Sequence, residues 1–164
     1  MLVELALLGR IEPEDSRAWF KGTKVVATGS GPLPDPLLQS HYDAIAAHPR
    51  QVQSLLVTIG SGLWEPLTER LVERGLLRRE RKRVLGLFPT TSLPAGDIDH
   101  ESALRERMHA VLEHGESPDA RLAAIIALIS ASGTLPSLDP VPKWSGKAAT
   151  RAKEFEQGNW GPRR

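Results

Sequence analysis

The chain has no cysteine among its 164 residues. This absence excludes a disulfide framework, thiolate catalysis and cysteine-based zinc sites, and it fits a reducing cytoplasm. An excess of either charge is also missing, because 21 Lys and Arg side chains stand against 20 Asp and Glu side chains. A formal net charge of +1 gives no global field toward a polyanion, so any attraction to phosphates has to come from a local patch.

Long apolar runs are absent as well. The longest, such as LAAIIALI (Leu122 to Ile129), fall well short of the about 20 residues that a membrane-spanning helix needs. Any membrane contact is therefore expected to be peripheral. With 40% apolar residues the chain can bury a real core, and its length predicts a single domain over residues 1–164.

Catalytic and metal-binding motifs are scarce. Ser30 and Ser61 each lie between glycines, yet neither belongs to a G-x-S-x-G elbow. The five histidines occur without an H-E-x-x-H motif or a carboxylate-partnered pair, so we predict no metal site and no cofactor. The D-x-D at Asp97 and Asp99 is explained by helix capping. The sequence therefore predicts a protein that is not an enzyme.

Apolar spacing predicts a mainly α fold, a helical bundle around a buried central helix with one or two short β-hairpins. Asp35 followed by Pro36 predicts one helix start, and Asp119 predicts another. The helix after Asp119 is apolar nearly all round, which is typical of a central, buried helix. Its residues expected in the core are Leu122, Ala123, Ile125, Ile126, Leu128 and Ile129. One hairpin is predicted from the β-prone pieces Arg17 to Phe20 and Lys24 to Ala27.

The segment LLRRERKRVLGLF, Leu76 to Phe88, is the one strongly basic stretch. Leu76-Leu77 and Val84-Leu85 can pair across a turn centred on Glu80 to Lys82, which predicts a second hairpin with a cationic tip. The cations that it gathers are Arg78, Arg79, Arg81, Lys82 and Arg83.

Three interpretations of this basic hairpin remain open. It could be the wing of a winged-helix DNA-binding regulator, with Gln51 to Gly75 supplying two upstream helices. It could be a membrane-surface element, whose cations attract anionic lipid while Val84 and Leu85 enter the interface. Its charges could also be merely solvated, with both apolar residues in the core.

Several motifs resemble one known family. MLVELALLGRI is similar to its M-L-I-E-L-A-L-R-G-R-L, and GPLPDPLL to its P-x-G-D-x-L-L. LVERGLL and LGLFPTTSLP resemble its L-V-E-K-G-V-L and L-L-F-x-x-T-T-x-P-L, and ARLAAIIALISASGTL resembles its R-R-L-L-A-L-I-Y-L-A-H-A-S-D-V-L. On these motifs the chain resembles the Golgi phosphoprotein 3 family, with its high Arg, Ala and Pro usage typical of a bacterial member.

The resemblance implies a mainly helical, non-catalytic adaptor that binds phosphatidylinositol 4-phosphate on a membrane and holds client proteins. It places the family's membrane-dipping hairpin on Glu80 to Thr91, with Val84 and Leu85 at the apolar tip. The family's arginine pair aligns with Ser61 and Trp64, and its helix before the first motif is expected to be missing ahead of Met1. The expected partners are anionic membrane lipid, with a phosphoinositide-like headgroup, and a second copy through the hairpin. We expect a cytoplasmic protein, peripheral on the inner membrane face.

Overall fold

The computed structural model describes residues 1–14, 22–84, 88–138 and 140–158. Over these residues the chain is mainly α-helical with two small antiparallel sheets, which confirms the predicted fold class. The helices are α1 (Leu2–Leu7), α2 (Pro36–Ala47), α3 (Val52–Gly60), α4 (Trp64–Glu73), α5 (Ile98–His109), α6 (Ala120–Ala131) and α7 (Gly146–Glu156). The strands are β1 (Ile11–Pro13), β2 (Lys24–Ala27), β3 (Arg50–Gln51), β4 (Glu80–Val84) and β5 (Phe88–Ser92).

Side-chain caps explain where several helices begin. Asp35 Oδ1 accepts a hydrogen bond from the backbone N–H of Leu37 at 2.9 Å, with Pro36 as the first helical residue of α2. Asp119 Oδ1 accepts one from Leu122 at 2.8 Å at the start of α6. Both predicted helix starts are confirmed. The D-x-D motif also acts as a cap, because Asp97 accepts a hydrogen bond from His100 N–H.

The residues divide into two compact units, Met1–Leu67 (unit 1) and Thr68–Arg164 (unit 2). In unit 1, β2 is the middle strand of an antiparallel sheet with the order β1-β2-β3. Ile11 pairs with Ala27, and Val25 pairs with Arg50. The strand predicted at Lys24 to Ala27 is therefore confirmed, whereas its predicted partner at Arg17 to Phe20 lies outside the described residues.

A buried apolar cluster joins the sheet of unit 1 to its helices. The cluster consists of Leu5, Ile11, Val25, Leu38, Ile45, Leu55 and Ile59. Next to it, Arg10 holds the loop before α2: its guanidinium donates to the carbonyls of Ser30 and Gly31 and lies 4.5 Å from the ring centroid of Tyr42. The Arg10 side chain thus holds the Ser30 loop, and the glycines on either side of Ser30 adopt positive φ angles, 70° at Gly29 and 87° at Gly31, which favour glycine.

The core of unit 2 is built by helices. Its buried residues are Met108, Val111, Leu112, Leu122, Ala123, Ile126, Leu135, Ala148, Ala152 and Phe155. They come from α5, the π-helical turn Ala110–His114 that continues it, α6, the 3₁₀ turn Leu135–Leu138 and α7. One apolar face of α6 packs against α7 across this core, with Ile126 fully buried.

Of the six residues of α6 predicted to lie in the core, Leu122, Ala123 and Ile126 are confirmed, whereas the prediction is wrong for Leu128. Leu128 is 58% exposed, and Ile125 and Ile129 are only partly buried. The neighbouring elements cover one side of the helix, and Leu128 projects from the other side into solvent.

Candidate functional site

The basic segment forms the first strand of an antiparallel pair. Glu80 pairs with Ser92 and Val84 pairs with Phe88, so the chain reverses after Val84. The predicted turn at Glu80 to Lys82 is therefore wrong, because Val84 pairs with Phe88 and Leu77 forms its β-bridge with Ala95. The basic run contains none of the Gly, Asn or Pro residues that favour a tight turn, so it extends as a strand. The placement of a hairpin over Glu80 to Thr91, which the family resemblance implies, agrees with the observed strands.

Main-chain contacts fasten the base of this hairpin on both sides. Leu77 forms a β-bridge with Ala95, the N–H of Arg78 donates to Pro94 O at 2.9 Å, and the N–H of Gly96 donates to Leu76 O at 2.9 Å. A Cβ added at Gly96 would lie 2.1 Å from the carbonyl oxygen of Gly75. Only glycine fits this close approach of the two chain segments.

The cations are spread along the approach to β4 and along the strand, and so they are not gathered at a turn. Arg78 and Arg81 are exposed, and no carboxylate among the described residues is paired with either. Arg79 Nη2 lies 2.6 Å from Glu69 Oε1 on α4, with the two side chains 42% and 44% exposed. The described part of the hairpin therefore presents positive charge that is only partly neutralised.

Backbone pairing between β4 and β5 gives the positions of three of the remaining predicted site residues. Lys82, Arg83 and Val84 stand opposite Thr90, Pro89 and Phe88 in the strand pair. Leu85 lies outside the described residues. The predicted apolar pair at the tip is thus located for Val84, at the last pairing position of β4.

Exposed apolar side chains in unit 1 form a feature that the sequence reasoning missed. On α3, Leu56 is 57% exposed and Val57 is 74% exposed, and Trp64 at the start of α4 is 76% exposed. From Ala44 to Trp64 the sequence has no acidic residue, and this run is the sequence pattern that could have indicated the exposed apolar surface.

No helix in the described ranges is both long enough and apolar enough to cross a membrane.

A comparison of the chain with models of known protein families tests the family membership that its motifs indicate. The family model described as Golgi phosphoprotein 3 (GPP34) matches residues 1–164. The chain belongs to the Golgi phosphoprotein 3 family. A search of curated proteins found no match.

Membership of the Golgi phosphoprotein 3 family covers both units, because the match spans the whole chain. It confirms the family that the motifs in MLVELALLGRI and LGLFPTTSLP indicate. It also makes the hairpin from Glu80 to Ser92 part of the matched region.

Proposed function

We propose that this member of the Golgi phosphoprotein 3 family is a non-catalytic adaptor that binds membranes peripherally, at the cytoplasmic face of the inner membrane. Its contact with anionic lipid is the β4–β5 hairpin. The observation that carries the proposal is the basic strand itself, on which Arg81 is exposed and has no carboxylate partner among the described residues. The adaptor role, with a client protein as second partner, is supported by the family alone.

Electrostatics can supply useful affinity at such a hairpin. A cation near an anionic membrane surface contributes about 1 kcal/mol, and the attraction falls off within a Debye length, about 8 Å at physiological salt. Five cations within six positions are therefore enough for reversible binding. Apolar residues at the end of β4 would add a salt-independent contribution by entering the interface.

The lipid headgroup is a separate question within the proposal. Through its family, phosphatidylinositol 4-phosphate is the first ligand to test. Ser61 and Trp64 stand where the family's arginine pair aligns, and neither can form a charged contact with a phosphate. We therefore propose that the hairpin cations, and not α4, provide the attraction to the headgroup.

A DNA-binding regulator is the alternative with a structural argument in its favour. The elements α3, α4 and the β4–β5 hairpin follow one another in the order of a winged helix. However, α4 would be the recognition helix, and it carries Glu65, Glu69 and Glu73. Carboxylates on a helix that faces DNA phosphates are repelled by them, which favours the membrane proposal.

The test is vesicle co-sedimentation beside a DNA mobility-shift assay at the same salt concentration. We expect binding to vesicles containing anionic lipid, with phosphatidylinositol 4-phosphate and phosphatidylserine compared at equal charge, and no binding to neutral vesicles. DNA binding without vesicle binding would replace the proposal by the winged-helix alternative. Binding to neither would leave the family's protein-binding role as the only one supported, and gel filtration would then show whether the hairpin joins two copies.

A further inference from the structure

Unit 1 contains a groove between α2 and α3 that the membrane proposal does not use. Its volume is about 240 Å³, and its floor is apolar. Ile45 is fully buried there, and Leu55 and Ile59 are 4% and 8% exposed. Ala44 completes the apolar lining. Such a floor favours a hydrocarbon group over water.

The rim of the groove is polar and can carry positive charge. It consists of His41, His48, Arg50 and Thr58, and none of the described residues that line the groove is a carboxylate. Backbone pairing with Val25 in the sheet fixes the position of Arg50. No ion pair joins Arg50 to a carboxylate among the described residues, and its guanidinium can donate two parallel hydrogen bonds to one anionic group.

His41 adds a second, independent observation. Its ring lines the groove, and its Nε2 atom is buried without a hydrogen-bond partner in the described part of the chain. A buried polar atom without a partner is costly and uncommon in folded proteins. Burial lowers the pKa of His41, and the charge of the amino terminus lowers it further. In a neutral imidazole one ring nitrogen donates a hydrogen bond and the other accepts one, so His41 on the rim suits a ligand with a polar group.

We infer that the groove between α2 and α3 binds a small amphiphilic anion, an aliphatic chain of several carbons that ends in a carboxylate or a phosphate. The chain lies on Ala44, Leu55 and Ile59, and the anionic end is held at the rim by Arg50 with His48 beside it. This site is separate from the β4–β5 hairpin, so the inference does not rest on the proposed function.

Isothermal titration calorimetry of the full chain tests the ligand class. The probes are octanoate and octyl phosphate, which have both a chain and a charge, octanol, which has no charge, and inorganic phosphate, which has no chain. All are used below the concentration at which they form micelles. We expect both amphiphilic anions to bind about tenfold or more tightly than octanol or phosphate. Equal binding of octanol and octanoate, or no measurable binding of either anion, would overturn the inference.

Two variants locate the site. Arg50→Gln should weaken octanoate binding about tenfold without changing octanol binding, whereas Arg74→Gln, at an exposed arginine outside the groove, should change neither. Thr58→Phe should fill the groove and abolish the binding of both. Its control is Gln53→Phe, at another exposed position of α3 that does not line the groove. Thermal denaturation confirms that each variant is folded, and unchanged octanoate binding in both Arg50→Gln and Thr58→Phe would disprove the site.

The same variants separate two sources of the ligand. If the anion is a free metabolite, Thr58→Phe should bind anionic vesicles as the parent protein does. If the anion is the chain and phosphate of a membrane lipid, Thr58→Phe should lose octyl phosphate binding and should bind vesicles more weakly than the parent protein, because only the hairpin contact remains. Either result supports the groove as a site for an amphiphilic anion, provided that the calorimetric binding is lost.

Discussion

Glu69 on α4 holds Arg79 of the basic segment, with Oε1 and Nη2 at 2.6 Å. Because both side chains are well exposed, the pair contributes little to stability, about 0–1 kcal/mol by analogy with measured surface pairs. A lipid phosphate can form a charge-assisted hydrogen bond with the same guanidinium. Glu69 is therefore positioned to compete with the membrane for one of the five cations.

The first prediction concerns this competition. Glu69→Gln should strengthen binding to anionic vesicles by up to about fivefold, since one more cation becomes available at about 1 kcal/mol. Glu73→Gln is the matched control, because it removes an exposed carboxylate of α4 for which no ion pair is observed. Vesicle affinity is measured by co-sedimentation. If vesicle affinity increased equally in both variants, the effect would come from net charge alone.

The second prediction concerns the charges of the hairpin. Replacing Arg79, Arg81, Lys82 and Arg83 with serine should remove attractions of about 1 kcal/mol each near an anionic surface. The difference in vesicle affinity between the variant and the parent protein should shrink as salt is raised, since screening at high salt already weakens the binding of the parent protein. Titration with anionic vesicles at low and high salt measures both effects. If the variant binds vesicles normally and loses binding to DNA, the membrane proposal fails.

The third prediction concerns the apolar end of β4. Val84→Ser together with Leu85→Ser should weaken vesicle binding to a similar extent at low and high salt, because buried apolar area is lost and not charge. A strongly salt-dependent loss would show that these residues do not enter the interface. Leu56→Ser with Val57→Ser, on the exposed face of α3, provides the comparison with apolar residues outside the hairpin.

The fourth prediction uses two faces of α6. Ile126→Asp should lower the free energy of unfolding by about 4 kcal/mol or more, because a buried carboxylate has no partner there. Leu128→Asp introduces the same residue into the same helix at a position that is 58% exposed, and it should cost less than about 1 kcal/mol. Urea denaturation measures both. Similar losses would mean that Leu128 is covered in solution.

The fifth prediction concerns the start of α6. The N–H of Leu122 lowers the pKa of Asp119, and Arg107, at 2.6 Å from Oδ2, lowers it further. Because the folded pKa is below the unfolded one, ionised Asp119 stabilises the fold above about pH 4, and this stabilisation is lost as pH falls through the folded pKa. Asp119→Asn keeps a capping side chain. Its melting temperature should lie below that of the parent protein at pH 6 and approach it at pH 3.

The control for this prediction is Glu116→Gln, at an exposed carboxylate in the same loop. It should leave the difference between pH 6 and pH 3 close to that of the parent protein. If the melting temperature of Asp119→Asn differed from that of the parent protein by the same amount at all pH values, the charge of Asp119 would not stabilise α6.

Local features were predictable from the sequence, and features that depend on a distant partner were not. The caps at Asp35 and Asp119 involve N–H groups two or three residues away, so the sequence alone predicts them. The register of β4 depends on its pairing with β5, and a local search for a turn placed it wrongly at Glu80 to Lys82. Family motifs corrected this because they carry the register of the whole hairpin.

Burial and cavities required the packed structure. An all-apolar helix does not show which of its sides lacks a neighbour, and for this reason the exposure of Leu128 was missed. The groove exists because α2 and α3 pack with a gap over Ile45 and Ile59. The sequence indicated only that no acid occurs from Ala44 to Trp64.

The β4–β5 pair also sets a distance. A residue of an antiparallel strand advances about 3.4 Å, so Val84 lies about 14 Å along the strand from Glu80. Apolar groups of peripheral proteins enter a bilayer by about 5–10 Å, and insertion of the far end to that depth would leave the contacts around Gly96 in water. The length of the β4–β5 strand pair, in addition to its charge, would therefore determine how closely the rest of unit 2 can approach a membrane.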